Sequence, residues 1–234
     1  FLGGTINDKA RSLALVGPDL VCVTGYTESD DFPVTANAFD AEHNGGWDLF
    51  FSCFDLTTGE LIYSTYLGGT LDEEPWDMLA DGEGYAVVSG YTHSHFFPST
   101  ADAFDPLWNG GRDGFLVKMD PLSGQMVWGT FIGGSGYDRV SRISFDPLGN
   151  IAMIGTTSSQ NFPVTPGAYD TSFANDSDAF IAKLSAAGTE LLFSTFVGGS
   201  SSDTGQTLYQ DPHGEIYFAG HTYSNDFPIV GDVP

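Results

Sequence analysis

The chain has 234 residues and a formal net charge of −24, with 7 Lys and Arg against 31 Asp and Glu, so simple repulsion disfavours nucleic acid as a partner. A hydrophobic content of 41% with 14% aromatic residues belongs to a folded core and excludes a disordered segment. No run approaches the ~18 apolar residues of a membrane helix, and Phe1 to Ala10 lacks the basic flank and apolar stretch of a signal peptide. Membrane insertion is therefore not expected, and a start at Phe1 instead of Met reads as an excerpt of something longer.

Thirty Gly and 12 Pro leave few windows for helices, whereas Val, Ile, Phe, Tyr and Thr cluster in short runs between turn residues. In chain order, four strands are expected first: A over Ser12 to Val16, B over Leu20 to Thr27, C over Asp48 to Asp55 and D over Glu60 to Leu67. A tight turn at Val16-Gly17-Pro18-Asp19 joins A to B, and another near Gly59 joins C to D. About twenty residues join B to C, and roughly eight follow the double glycine before the next A.

This set recurs. Phe1-Leu2-Gly3-Gly4 returns at Tyr66, Phe131 and Phe196 with an offset of 65 residues each time. The same offset carries Gly25 to Gly90, Gly155 and Gly220, and Phe32-Pro33 to Phe97-Pro98, Phe162-Pro163 and Phe227-Pro228. Four antiparallel strands repeated in this way predict an all-β fold of β-propeller blades, four-stranded antiparallel sheets repeating every 65 residues. The blades are expected over residues 5–69, 70–134 and 135–199, with a half blade over 200–234 and hence an incomplete ring.

The string Gly25-Tyr26-Thr27 through Phe32-Pro33, with Ala38-Phe39-Asp40, Asn44-Gly45-Gly46-Trp47-Asp48 and Tyr63 through Gly69, resembles the SBBP family of bacterial β-propeller repeats. The resemblance covers essentially the whole chain, although the third unit has Ala174 to Asp178 where the others have N-G-G-x-D. It implies a surface or secreted, usually non-catalytic repeat module of a larger protein.

The repeat separates structural residues from candidate functional ones, since a residue present in every unit serves the blade. Phe32, Phe97, Phe162 and Phe227, with Phe39, Phe104 and Tyr169, are expected to pin the long loop under burial of ~150 to 250 Å² each. Tyr63, Trp128 and Phe193 on strand D, and Phe50, Phe115 and Phe180 on strand C, are expected between blades. The long loops share one face, and three tryptophans there do not recur: Trp47 aligns with Arg112 and Ser177, Trp76 with Arg11, Ser141 and Gln206, and Trp108 with His43 and Phe173. They are candidates for stacking on sugar or anchoring a partner, against the plainer reading of loop plugs.

Acids gather on the same face. Asp40, Asn44 and Asp48, with Asp105, Asn109 and Asp113, are candidate calcium ligands because that ion takes six to eight oxygens; the competing reading is turn capping. No cofactor is required. Asp8, Glu73, Asp138 and Asp203 recur after the double glycine. Ser201 to Thr207 matches the sialidase Asp-box pattern but falls in the D to A loop, the wrong place for that motif. His93 and His95 are two imidazoles where a metal site needs three or four ligands. Seven basic residues leave little for clamping phosphate or sulfate. Cys22 and Cys53 fall on adjacent strands, and free buried thiols are favoured because cross-strand bridges strain a sheet. Asn175-Asp176-Ser177 is a glycosylation sequon.

The leading expectation is a non-enzymatic extracellular or cell-surface segment, structural or adhesive, with no catalytic residues. Its partners are the remainder of the parent chain or neighbouring subunits, and glycans. The alternatives are a carbohydrate-binding propeller using Trp47, Trp76 and Trp108, and a glycan-processing enzyme with a carboxylate pair.

Overall fold

Turn chemistry sets the outline. Glycines with φ between 72° and 100° sit in the tight turns at Gly59, Gly84, Gly124, Gly149, Gly188 and Gly214, so each strand doubles back on the last. The computed structural model describes residues 1–174 and 176–229, which form fourteen strands. The first sheet is β1 (Asp8–Leu15), β2 (Leu20–Thr27), β3 (Asp48–Asp55) and β4 (Leu61–Leu67). The second is β5 (Glu73–Ala80), β6 (Ala86–Thr92), β7 (Asp113–Asp120) and β8 (Gln125–Ile132). The third is β9 (Asp138–Phe145), β10 (Ile151–Thr157), β11 (Asp178–Leu184) and β12 (Leu191–Val197), and β13 (Asp203–Gln210) pairs with β14 (Ile216–Thr222).

Within each sheet the strands pair antiparallel in sequence order, the meander expected of a blade. Strand β1 packs on β5, β5 on β9 and β9 on β13, so the first strand of every blade lies on the axial side. The sheets stand side by side as an unclosed arc. Buried side chains run between them: Leu49, Phe51, Tyr63, Met78, Val88 and Phe115 share one cluster, and Val87, Leu116, Ile143, Met153 and Phe180 another.

The expected phenylalanine staple is present. Phe32, Phe97 and Phe162 are each 3% exposed, with ring centroids 4.5, 4.5 and 4.3 Å from Phe50, Phe115 and Phe180. Phe39 and Tyr169 depart from expectation. Both are exposed, because the loop backbone there is held by hydrogen bonds instead, Thr65 Oγ1 accepting from Asp40 N and Thr195 Oγ1 from Asp170 N at 2.9 Å each. Tyr63 and Trp128 are buried against the next blade, where the Tyr63 hydroxyl donates to the Gly124 carbonyl at 3.0 Å. Phe193 is exposed, since the fourth unit brings only β13 and β14 against it among the described residues.

Two further expectations are corrected. The first strand of each unit begins four residues early, at Asp8 instead of Ser12, because a bulge interrupts its alternation and hides it from a period-two reading. Cys22 and Cys53 are directly opposed, with Cα atoms 4.0 Å apart, and form a disulfide. Such an opposed pair already sets its side chains close together, so the bridge forms between neighbouring strands of one sheet. Asn175 of the sequon lies outside the described residues.

Candidate functional site

The bulge gives the site its shape. In every first strand one residue has no partner on the second strand: Arg11, Trp76, Ser141 and Gln206. Opposite each lies a recurring glycine, Gly25, Gly90, Gly155 or Gly220. A Cβ at any of them would fall well inside contact distance of a backbone carbonyl on the first strand, that of Lys9, Glu74, Arg139 or Thr204. Glycine is needed there because two backbones approach too closely for any side chain. A bulge re-aims the extra side chain, and the residue it presents differs from unit to unit.

Those unit-specific residues meet on the long-loop face. Trp47 stacks on Tyr26, with centroids 4.7 Å apart and planes 15° from parallel. The Arg11 guanidinium lies 5.5 Å from the Tyr26 ring and 5.9 Å from Trp76. On Trp76 sits Arg139, at 3.9 Å. Arg112, at the position of Trp47 one unit on, lies 4.3 Å over Tyr91, the counterpart of Tyr26, and 5.6 Å from Tyr137. Lys9 is 5.7 Å from the Tyr26 ring. Four of the seven basic residues of the chain thus collect around five aromatic rings. Seven basic residues were expected to leave little for clamping phosphate or sulfate, and four of those seven stand together here.

The remaining three cations are spent on local acids: Lys118 with Asp81 at 2.7 Å, Lys183 with Asp146 at 2.6 Å and Arg142 with Asp77 at 2.9 Å. Within the cluster, Arg11 pairs with Glu74, whose other oxygen accepts from the Tyr91 hydroxyl at 2.6 Å. Arg112 and Arg139 form no ion pair among the described residues, and the Nε of each is buried without a hydrogen-bond partner. Burial, and then the charge of Arg112, lower the pKa of Arg139.

Trp108 stands apart from Trp47 and Trp76. It packs on the first core cluster and lies edge-on to His95 at 5.5 Å, while its counterparts His43 and Phe173 lie 5.8 and 5.9 Å from Tyr66 and Phe196. One slot under the loop is filled by a different ring in each blade. His93 is edge-on to Tyr91 at 5.5 Å, away from His95, which is edge-on to Phe96 at 4.7 Å.

The candidate calcium ligands do come together, as a hydrogen-bonded clamp. Asn44 donates from Nδ2 to Asp40 at 2.7 Å and from its backbone to Asp48 at 2.8 Å; Asn109 repeats both bonds to Asp105 at 2.6 Å and Asp113 at 2.7 Å. The amide thus turns its donor, and not an oxygen, toward the acid. Among the described residues no group of three or more His, Cys, Asp and Glu side chains is placed to hold a metal.

The recurring acids after the double glycine are braces, buried at Glu73, Asp138 and Asp203 and half-buried at Asp8. Asp8, Glu73, Asp138 and Asp203 accept from the backbone of Gly4, Gly69, Gly134 and Gly199 at 2.7 to 2.8 Å. Each later one faces an acid of the preceding blade: a Cβ on Gly133 would lie 2.8 Å from Asp138 Oδ2 and 2.9 Å from Asp113 Oδ1. Burial pushes Glu73 and Asp113 up to about 7 and Asp48 and Asp178 up to about 6, and raises Asp138 as well. Within the string that resembles an Asp box, Asp203 opens β13 as one of these braces.

The fold and these braces define a repeat protein built from propeller-type blades. Residues 127–163 match the family model described as SBBP, Beta-propeller repeat, a stretch that runs from β8 to Phe162-Pro163. That stretch is therefore similar to an SBBP β-propeller repeat, and its Phe131-Ile132-Gly133-Gly134 and Phe162-Pro163 recur in the neighbouring units at the 65-residue offset. No curated protein matches the chain.

Proposed function

We propose that this propeller-type repeat module works without catalysis, as an extracellular structural or adhesive segment of a cell-surface protein. The observation that carries the reading is the division of labour between residues. Those common to all units are tied into loop clamps and blade braces, whereas Arg11, Trp47, Trp76, Arg112 and Arg139 differ between units and gather on one face. A surface assembled from the variable positions of a constant scaffold suits recognition. The Cys22–Cys53 disulfide favours an oxidising compartment and so an extracellular location.

Two kinds of partner fit. Strand β14 is exposed along almost its whole length beside an apolar groove lined by Ile181, Phe193, Val197, Ile216, Phe218 and Phe227, which suits further strands from the parent chain or a neighbouring subunit. Half-buried Trp47, stacked on Tyr26, favours glycans as a second class. The test is a glycan array and a bead capture with the chain, run beside the Trp47→Ala and Trp76→Ala variants, with a polysaccharide-turnover assay in parallel. Capture that the substitutions weaken supports the reading. Turnover of any polysaccharide would overturn its non-enzymatic part, and labelling of the parent protein only inside lysed cells would overturn its location.

A further inference from the structure

In a chain of net charge −24, two arginines left without acids require an explanation. Arg112 belongs to the loop before β7, and Arg139 to β9, one blade further round the axis. Their segments are joined directly: Arg112 and Tyr137 form an isolated parallel bridge, Arg112 N donates to the Gly136 carbonyl at 3.0 Å, and Asp138 N to the Arg112 carbonyl at 2.6 Å. The blade junction therefore fixes both segments, and each guanidinium then lies over a ring, Arg112 over Tyr91 and Arg139 over Trp76. Neither is a loose surface cation.

Holding like charges together, partly buried, costs free energy unless something of opposite sign completes the site. The nearby acids form no pair with either arginine. Glu74 accepts from Tyr91 and pairs with Arg11, Asp72 accepts from the Trp47 backbone at 3.1 Å, and Asp138 accepts from Gly134 and Ser159 through Oδ2, its Oδ1 lying buried without a hydrogen-bond partner. Arg112 does act through space on Asp138, lowering its pKa against the effect of burial, yet makes no ion pair with it. What remains is two planar donor forks at the blade junction, with Tyr137, a residue 59% exposed, 5.6 Å from the Arg112 guanidinium.

Deepening the recognition reading above, on which it rests, we propose that Arg112 and Arg139 form an anion subsite for the carboxylate of an acidic sugar, with Tyr137 as the flat wall for its ring. Planar guanidinium forks match a carboxylate in bidentate geometry. The acid surplus of the chain selects against densely charged polyanions, so a single negative charge spaced along a sugar chain is the ligand that gains from the forks with the least repulsion. Trp76 and Tyr91 are platforms for the arginines, not for the sugar, because guanidinium groups already occupy their faces.

The test uses calorimetric titration of the chain with a tetramer of galacturonic acid, its neutral galactose counterpart, a sulfated tetramer and a glutamate-rich peptide. Expected is binding of the galacturonate tetramer that weakens as salt rises and falls at least tenfold in Arg112→Gln and in Arg139→Gln. Arg112→Lys, which keeps charge but loses the fork, should lose most of the same affinity. Tryptophan fluorescence and the melting midpoint of each variant report whether it folds; Arg112→Lys serves should either glutamine variant fail. No binding of the galacturonate tetramer, equal binding of the neutral one, or a preference for the sulfated tetramer or the peptide would each overturn the inference. Neutral-glycan binding indifferent to both arginines would do so while leaving the recognition module standing.

Discussion

Gly155→Ala tests the bulge on which the site depends. The new Cβ would overlap the Arg139 carbonyl oxygen and stand 2.6 Å from two atoms of the Phe180 ring, which is fully buried and lies 4.3 Å from the Phe162 ring. Neither neighbour yields easily: the carbonyl belongs to backbone paired in β9, and the ring is wedged between sheets. Overpacking of this kind costs about 1–3 kcal/mol, against roughly 0.4–1 kcal/mol gained from the stiffer unfolded chain. At about 2–4 °C per kcal/mol for a chain of this size, a net loss of ~1–2 kcal/mol lowers the melting midpoint by roughly 2–8 °C. Relief by flattening the bulge would also shift Arg139 off Trp76, so tryptophan emission should change. Gly17→Ala is the control, since nothing lies within 4 Å of a Cβ there and its φ is not positive. Differential scanning fluorimetry and emission spectra read both effects. If Gly155→Ala melts like Gly17→Ala with unchanged emission, the close-approach argument is wrong for every unit.

Two other perturbations follow from the same structure. Reducing the Cys22–Cys53 bridge, which spans 31 residues, should remove about 3.7 kcal/mol by the loop-entropy relation; thiol titration of the denatured, unreduced chain should find none, and two titratable thiols or a midpoint indifferent to reductant would refute the bridge. The buried carboxyls set a pH profile. Burial raises Asp48, Glu73, Asp113 and Asp178 from 3.8 or 4.5 to about 6 or 7, so the folded state binds more protons, and the stability this gives is complete below the unfolded values and lost as pH climbs through 6 to 7. The midpoint should therefore fall between pH 5 and pH 8, and Asp113→Asn should raise it at pH 8; a midpoint that climbs over that interval contradicts the assignment.

Strands two to four of each unit, the turns and the phenylalanine staple were legible because each leaves a mark that recurs at a fixed offset. The first half of strand one was not, since Asp8-Lys9-Ala10-Arg11 shows no apolar alternation and the bulge shifts its phase. The disulfide depended on register, which composition does not encode. Trp47 and Trp76 were legible as unit-specific, and the same alignment pairs them with Arg112 and Arg11. The missing step was to treat those arginines as equivalents of the tryptophans. Arg139 left no such mark: its counterparts are Lys9, Glu74 and Thr204, and only the fold shows that it lies on Trp76.

The glycine and the bulge together explain how one backbone carries a different surface in each blade. A core position could not vary between Arg, Trp, Ser and Gln without repacking, because interiors respond to a single methylene. The bulged residue lacks a ladder partner, and its surroundings differ between units, Arg11 being exposed and Ser141 buried, while the glycine opposite absorbs the crowding in all units alike. The backbone of the bulge is thereby the same whichever side chain it carries. The same holds at Trp47, Arg112 and Ser177, where the loop clamp fixes the backbone through its neighbours at Asp48, Asp113 and Asp178 while the side chain differs in each unit. Variation in a repeat is tolerated where the scaffold keeps its backbone whatever the side chain, and in this chain two such positions converge with Arg139 on one face, where Arg11, Arg112 and Arg139 meet the rings of Tyr26, Trp76, Tyr91 and Tyr137.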